Sequence, residues 1–239
     1  SWVGFDPRRP LACDTLDLQE LREWCAQGPE ADAVVGPFRG GFLGALSYDL
    51  GVAGEALQLP EDPWGTPRVL GGLYAEFLVL DHEAGRVWLV VGDDRSEEWV
   101  EALLVQLSSP LPARAFSSTS PLRRLVEAAT HQGRIEAARA LIAAGEFYQA
   151  NLAHPFEVET AREPLDLYLR LRGSNPAPYM GYLDGAEFAL LSSSPELLLD
   201  VSGRRARTRP IKGTAERSAD PQLDQARAEA LLASSKDRA

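Results

Sequence analysis

The chain has 239 residues, of which 45% are hydrophobic and 25% are charged, and its 24 basic and 35 acidic side chains give a net charge of −11. This composition is typical of a globular protein, and the acidity argues against a nucleic-acid-binding surface. No apolar run approaches the roughly 18 residues of a membrane span, and the N-terminus lacks the basic and apolar regions of a secretion signal. We therefore expect a cytoplasmic protein without a membrane partner.

The first half of the chain mixes helical and strand patterns. Leucines at helical spacing predict a helix over 15–26. The glycine-rich residues 40–55 contain neither GxGxxG nor GxxxxGK[ST], so they predict strands with close backbone approach rather than a phosphate loop. Residues 71–93 hold two β-branched and aromatic runs around a short turn at 83–85, which predicts a hairpin. A helix is predicted over about 96–107.

Residues 108–121 are rich in serine and proline and mark the best candidate boundary. We predict an N-terminal region over 1–112 and a second region over 113–239. The chain has no initiator methionine and stops inside a helical pattern, so we expect the fold to be incomplete at both ends.

Helices and hairpins also alternate in the second region. A helix that begins near Arg134 is closed by Gly145, a second covers about 164–172, and a third starts at the capping residue Asp220. Residues 186–201 predict two strands interrupted at Ser194 and Pro195, and residues 204–211 pair back across a turn near Ser202 and Gly203. Hairpins outnumber β-α-β units, which favours an α+β fold with antiparallel sheets.

Two cysteines, Cys13 and Cys25, lie apart from any CxxC pattern or Cys/His cluster, so a zinc site is not expected. They fit buried thiols in a reducing cytoplasm, and a disulfide between them stays open as an alternative. His82, His131 and His154 are scattered without a second ligand three or four residues away, so they predict no metal site.

The predicted arginine-rich strand carries the most unusual chemistry of the chain. Arg205, Arg207 and Arg209 alternate and therefore share one face, which is usually a solvated outer face. Lys212 differs, because Pro210 ends regular pairing and the following glycine frees the backbone, so its side chain can point into a cleft.

Glu196 lies across the same hairpin, within about three cross-strand pairs of Lys212, or roughly 10 Å along the strand. The face that each side chain takes stays open, because a one-residue register shift inverts it. The pair is either an exposed ion pair worth no more than about 1 kcal/mol or an acid and a nucleophile. For a nucleophile, burial and nearby arginines would favour the neutral amine, and the arginines would attract an anionic substrate.

Two further segments can be explained by structural roles alone. The serines of residues 192–194 lack the G-x-S-x-G elbow, so a hydrolase nucleophile is not expected. Residues 175–182, NPAPYMGY, are either core packing or the wall of an apolar pocket.

Four motifs in this order and spacing resemble the chorismate-utilising enzymes: GEFYQANL at 145–152, NPAPYM at 175–180, SSSPELL at 192–198 and RPIKGTAER at 209–217. This family includes the large components of anthranilate synthase and aminodeoxychorismate synthase. The resemblance implies antiparallel sheets packed face to face with helices outside. Anthranilate synthases typically have alanine at the position of Lys212, whereas PIKGT is similar to aminodeoxychorismate synthase component I.

The resemblance implies a role for each matching residue. Lys212 matches a nucleophile that adds to C2 of the chorismate ring and expels the C4 hydroxyl, after which ammonia enters at C4 and displaces the lysine. Glu196 matches the general acid for the departing hydroxyl. Thr214 matches a threonine at the substrate, and Gly213 lets the backbone approach the ring.

The resemblance also implies ligands and partners. Pro178, Tyr179 and Met180 match the wall of a tryptophan pocket, which is inhibitory in anthranilate synthase. The family's Mg²⁺ is held by glutamates, the first of which would follow Ala239, so no metal ligand is expected within this chain. Ammonia would come from a separate glutamine amidotransferase subunit.

The leading expectation is an enzyme that converts chorismate to 4-amino-4-deoxychorismate on the route to p-aminobenzoate and folate. One alternative is anthranilate synthase component I of tryptophan biosynthesis, in which Lys212 would be an individual substitution. Another is a non-catalytic family member that binds tryptophan or a subunit. Because only part of the family's active site is present, we expect the chain as given to be inactive by itself.

Overall fold

The computed structural model of the chain describes residues 1–17, 19, 21–23, 38, 40–55, 57, 60, 62–92, 94–110, 119–185 and 187–235. Of the helix predicted over 15–26, residues 19 and 21–23 are helical, residues 15–17 are not, and the remainder lies outside the described residues. Cys25 and the predicted boundary at 112/113 also lie outside them. Cys13 has a free thiol that donates a hydrogen bond to the carbonyl oxygen of Thr15 at 3.1 Å.

The described strands, in chain order, are β1 (Trp2–Gly4), β2 (Arg9–Cys13), β3 (Gly41–Leu46), β4 (Val69–Tyr74), β5 (Phe77–Asp81), β6 (Arg86–Val90), β7 (Arg123–Arg124), β8 (Phe156–Glu157), β9 (Tyr179–Asp184), β10 (Ala189–Ser194), β11 (Leu197–Ser202) and β12 (Arg205–Arg209). The described α-helices are α1 (Glu97–Ser108), α2 (Ala128–Ala144), α3 (Pro164–Ser174) and α4 (Pro221–Ala233). A 3₁₀ helix spans Tyr48–Gly54. The paired strands in the described part of the chain are antiparallel, which confirms the predicted α+β class.

The chain forms two compact units. The first contains residues 1–109 and 168–239, with the sheets β2-β4-β3 and β1-β5-β6 and the strand pairs β9-β10 and β11-β12. The second contains residues 110–167, with α2 and the short pair β7-β8. The division into regions 1–112 and 113–239 is placed at the serine- and proline-rich segment 108–121, and it stays a prediction.

The hairpin predicted over 71–93 is confirmed for β5 and β6. The carboxylate of Asp81 accepts hydrogen bonds from the backbone N–H groups of Glu83 at 2.9 Å and Ala84 at 3.0 Å, which closes the turn. Phe77 and Val79 alternate along β5 and are buried, at 0% and 7% exposure. Alternation therefore places one face of this hairpin in the core.

Glycines let β3 and β4 approach closely, as the sequence predicts. Gly44 lies directly opposite Gly71 in the ladder. A Cβ atom on Gly44 would lie 2.4 Å from the carbonyl oxygen of Leu70, and one on Gly71 would lie 2.4 Å from that of Leu43. Side chains are excluded at both positions, so these glycines serve backbone packing.

A buried carboxylate anchors the turn between β4 and β5. Glu76 is fully buried, and its Oε1 accepts hydrogen bonds from Arg8 Nη2 at 2.7 Å and Arg95 Nε at 3.0 Å. Arg8 also donates to Asp94, and Arg95 lies over the ring of Trp99 at 4.6 Å. Burial raises the pKa of Glu76, but the bonds and charges of the two arginines outweigh it and lower that pKa below its ordinary value.

In the second unit, α2 ends as the sequence predicts. Gly145 has φ +82°, and its N–H donates to the carbonyl oxygen of Ile142 at 3.1 Å. The next N–H, that of Glu146, donates to Leu141 at 3.1 Å. Glycine at this left-handed position closes the helix without a Cβ penalty.

Several large apolar side chains of the described residues are exposed. On β11, Leu198 is 88% exposed, and Leu199 and Val201 are also exposed. In the described part of the chain, no helix is long and apolar enough to cross a membrane.

Candidate active site

The hairpin of β11 and β12 confirms the one predicted for the arginine-rich segment. Ser202 pairs with Arg205, which leaves Gly203 and Arg204 as a two-residue loop. Gly203 has φ +56°, a conformation that favours glycine in such loops. Every residue of β12 is exposed, so its arginines lie on a solvated face in this structure.

A β-bulge interrupts the register of this hairpin. Asp200 pairs with Arg207, whereas Leu197 pairs with Arg209, so two residues of β11 oppose Thr208 alone. The hydroxyl of Thr208 donates to the carbonyl oxygen of Leu197 at 3.2 Å. A bulge changes the direction of the strand and of the side chains that precede it, which here include Glu196.

Glu196 and the segment that carries Lys212 come together. The Glu196 carboxylate accepts a hydrogen bond from the backbone N–H of Ile211 at 3.3 Å, and Lys212 is the next residue. Both Glu196 and Lys212 are exposed. The burial of Lys212 that we expected from the sequence is therefore not seen in this structure.

The other two residues predicted to contact substrate lie between β12 and α4. Gly213 is half-buried and Thr214 is exposed. Downstream, Arg217 Nε donates to Asp224 Oδ1 at 2.9 Å, and Arg217 Nη2 donates to Oδ2 at 2.9 Å. These bonds lower the pKa of the Asp224 carboxyl and fix this end of the segment on α4.

The residues predicted to line a tryptophan pocket are joined to the serine-rich motif. Tyr179 pairs with Ser194, and Met180 pairs with Ser193, across β9 and β10. Tyr179 and Met180 are half-buried, and Pro178 is exposed. The hydroxyl of Ser193 donates to the carbonyl oxygen of Asn175 at 2.7 Å and accepts from its side-chain amide at 3.3 Å. The sequence reasoning missed this link, and its only local signal was the run of three serines.

Two histidines that the sequence presented as scattered are in contact. The ring centroids of His131 and His154 lie 4.4 Å apart, and His154 lies 4.8 Å from the ring of Phe156. However, no group of three or more His, Cys, Asp or Glu side chains among the described residues could hold a metal ion. The described residues therefore offer no site that fits Mg²⁺.

The described structure also contains a cavity of about 720 Å³ within residues 47–68, lined by Asp49, Trp64 and Arg68 among others. None of the predicted site residues lines it, so it is separate from the candidate site in the described chain.

Comparison with known proteins identifies relatives over the whole chain. Residues 8–239 match the model of a family described as chorismate binding enzyme. Anthranilate synthase component 1 of Mycolicibacterium smegmatis is 32% identical over 266 residues, covering 100% of this chain and 50% of that protein. Aminodeoxychorismate synthase component 1 of Escherichia coli is 33% identical over 206 residues, covering 85% of this chain and 44% of that protein.

Solved structures show the same relationship. Anthranilate synthase component I from Streptococcus pneumoniae TIGR4 superposes with a TM-score of 0.84 and 26% identity, covering 100% of this chain and 57% of that one. The chain spans about half the length of the curated relatives it matches. These findings confirm the resemblance found in the four motifs and the fold class that it implied.

Proposed function

The chain belongs to the chorismate binding enzyme family, and on that premise we propose that it carries the nucleophile and the general acid of an enzyme that aminates chorismate at C4. The observation that carries the proposal is the position of Lys212, directly after the residue whose amide binds the Glu196 carboxylate. This arrangement places an amine and a carboxyl group at one end of a hairpin.

The use of lysine itself supports the proposal. The chain contains 24 lysine and arginine residues, and only two of them, Lys212 and Lys236, are lysines. A guanidinium remains protonated in proteins and cannot attack carbon, whereas an amine can. Apart from Lys236, every other basic residue among these 24 is arginine, and Lys212 stands where the proposed chemistry requires an amine.

The proposed reaction proceeds in two displacements. The neutral Lys212 amine forms a bond to C2 as both conjugated double bonds of the ring shift and the C4–O bond breaks, and Glu196 gives its proton to the hydroxyl, which leaves as water. The Glu196 carboxylate then takes the surplus proton from the alkylated amine. Ammonia forms a bond to C4 as both double bonds shift back and the C2–N bond breaks. Glu196 returns the proton to the departing Lys212 amine, and the proton released by the new ammonium group reprotonates Glu196 through solvent. The sum is chorismate plus ammonia giving 4-amino-4-deoxychorismate plus water.

The proposal extends to partners by the same resemblance. Ammonia would be supplied by a separate glutamine amidotransferase subunit. Tryptophan would pack against Tyr179 and Met180. Both residues are half-buried and pair with β10, the strand that precedes Glu196. Placement of this reaction in folate biosynthesis rests on the product alone.

Variants of the two lysines test the covalent role. In an active full-length enzyme that contains this chain, we expect Lys212→Ala and Lys212→Arg to lose at least about a hundredfold in turnover with chorismate, ammonium and Mg²⁺, because neither residue can form the bond to C2. Lys236→Arg is the matched control and should retain turnover. Rapid quenching followed by mass spectrometry should find chorismate less one water on Lys212. Near wild-type turnover by Lys212→Ala would remove the covalent role.

Anthranilate synthase activity is the second candidate, because anthranilate synthases are among both the sequence relatives and the solved structures. The same incubation separates the two reactions. Formation of fluorescent anthranilate with release of pyruvate would favour this second candidate, whereas 4-amino-4-deoxychorismate without pyruvate supports the first.

A further inference from the structure

The two-residue loop between β10 and β11 is held by a single hydroxyl. The loop consists of Pro195 and Glu196. Ser194 Oγ accepts a hydrogen bond from the backbone N–H of Glu196 at 3.3 Å and donates one to the carbonyl oxygen of Glu196 at 3.2 Å. A serine hydroxyl has one donor and two acceptor sites, so it can make both bonds at once. The main chain of Glu196 is therefore bound on both sides.

The side chain of Glu196 is fixed by the opposite segment. Its Oε1 accepts from the N–H of Ile211 at 3.3 Å. Pro210 has no N–H, so Ile211 offers the first backbone donor after β12 ends at Arg209. Consecutive Cα atoms are about 3.8 Å apart, so this bond keeps the Glu196 carboxylate within one residue of Lys212.

The bulge in β11 makes the position of this loop sensitive to its anchor. The register shifts by one residue between Leu197 and Asp200, directly after Glu196. A ladder with a shifted register does not by itself fix which residue of the other strand a side chain reaches. The bonds from Ser194 supply that constraint on the β10 side.

We propose that Ser194 is a positioning residue that holds Glu196 so that its carboxylate binds the Ile211 amide beside Lys212. The catalytic consequence rests on the proposed function, in which Glu196 is the general acid, whereas the positioning itself does not. Loss of the hydroxyl would free the main chain of Glu196 and let its carboxylate leave the amide.

Amide hydrogen exchange of the full 239-residue chain, followed by NMR, tests the positioning without turnover. We expect Ser194→Ala to speed exchange at Ile211 about tenfold, the change that follows from loss of hydrogen bonds of ordinary strength. Ser194→Thr keeps the hydroxyl and should restore the slow rate. Ser192→Ala is the matched control, since the described structure gives its hydroxyl no hydrogen bond. The amide of Leu80, in the β5-β6 hairpin, reports whether the unit stays folded.

Each outcome decides the proposal. Faster exchange at Ile211 in Ser194→Ala alone, with Leu80 unchanged, supports it. An unchanged Ile211 rate in Ser194→Ala, or an equal increase in Ser192→Ala, overturns it. If Ser194→Ala also speeds exchange at Leu80, the alanine test is replaced by a comparison of Ser194→Thr with Ser194→Val, which has the same shape without the hydroxyl. Equal exchange rates at Ile211 in these two variants would overturn the proposal.

Turnover separates this inference from the proposed function. In an enzyme that aminates chorismate, Ser194→Ala should lower kcat about tenfold with KM for chorismate within about twofold, because an acid out of position affects the transition state more than binding. Ser194→Thr should recover kcat. If the exchange result holds while no variant, including Lys212→Ala, alters the reaction, the proposed function fails and the positioning stands. A rise in KM with unchanged kcat contradicts positioning of the acid.

Discussion

Replacing Glu76 with glutamine removes the buried negative charge on which Arg8 and Arg95 converge. Glutamine has nearly the same shape and keeps an acceptor oxygen for the two arginines, while its NH2 group replaces Oε2, which is buried without a hydrogen-bond partner in the described structure. Hydrogen bonds to charged groups contribute about 1.5–3 kcal/mol, compared with about 0.5–1.5 kcal/mol for neutral ones. Two bonds weakened in this way amount to about 2–3 kcal/mol, and because Arg8 and Arg95 are 40% and 26% exposed, solvent screening places the expected loss near 2 kcal/mol.

The same substitution predicts a pH dependence with a definite sign. Although burial raises it, the pKa of Glu76 is lowered overall in the folded chain by its arginine partners. A carboxyl group with a lowered pKa contributes stability that is present above its unfolded pKa, about 4.3, and is lost as pH falls through the folded value. The advantage of the wild type over Glu76→Gln should therefore be full at pH 7 and disappear on acidification below about pH 4.

Urea unfolding at pH 7 and at several acidic pH values measures both effects. Glu83→Gln is the matched control, because Glu83 is exposed in the β5-β6 turn and the same chemical change there should cost within about 0.5 kcal/mol. Equal stability of wild type and Glu76→Gln at pH 7, or a difference that grows on acidification, would refute the reasoning.

Five further substitutions, at four positions, test the helices α2 and α4 and the exposed strand β11. Gly145→Ala should lower the free energy of unfolding of the second unit, measured in urea, by about 1 kcal/mol, because Gly145 has a positive φ. Gly133→Ala should raise it by about 1 kcal/mol, because Gly133 lies inside α2 with open space around it. Changes of the same sign in both variants would contradict this. Asp220→Ala should cost about 1 kcal/mol, since its carboxylate accepts from two N–H groups of α4, and Asp220→Asn should cost less. Leu198→Gln should reduce binding of the dye ANS while stability changes by less than about 0.5 kcal/mol, and unchanged dye binding would argue against an exposed apolar face.

Local signals explain which parts of the fold the sequence could predict. The β11-β12 hairpin follows from a glycine between two strand-like runs, and the end of α2 follows from Gly145. Each feature depends on residues within one turn or one loop. The backbone geometry of such a segment is set largely by its own residues, so tertiary contacts did not overturn these predictions.

The pairing register of β11 with β12, in contrast, could not be predicted from the sequence. Residues 197–199 are three consecutive leucines, and a run without alternation does not specify which residue faces which side. The bulge in that run shifts the pairing by one residue, a shift that the sequence pattern does not indicate. For this reason the sequence predicted that Glu196 and Lys212 would be neighbours but left their mutual orientation open.

Contacts between distant residues had no signal that could be read locally. Asn175 and Ser193 meet because of the β9-β10 register, and Glu76 meets Arg8 and Arg95 although they lie 68 and 19 residues away. A single glutamate in a strand-rich segment gives no indication that it is buried. The buried charge became visible only when three separate segments were brought together.

The exposure of Lys212 places a condition on the proposed chemistry. A neutral amine is favoured by desolvation and by nearby positive charge, but at physiological ionic strength exposed charges are screened over about 8 Å. The arginines of β12 are exposed, so solvent screens their charges in this structure. The proposed attack therefore requires the hairpin to be covered, by substrate and by protein, when the bond to C2 forms. The exposed leucines of the adjacent β11 provide an apolar surface on which such a cover can pack.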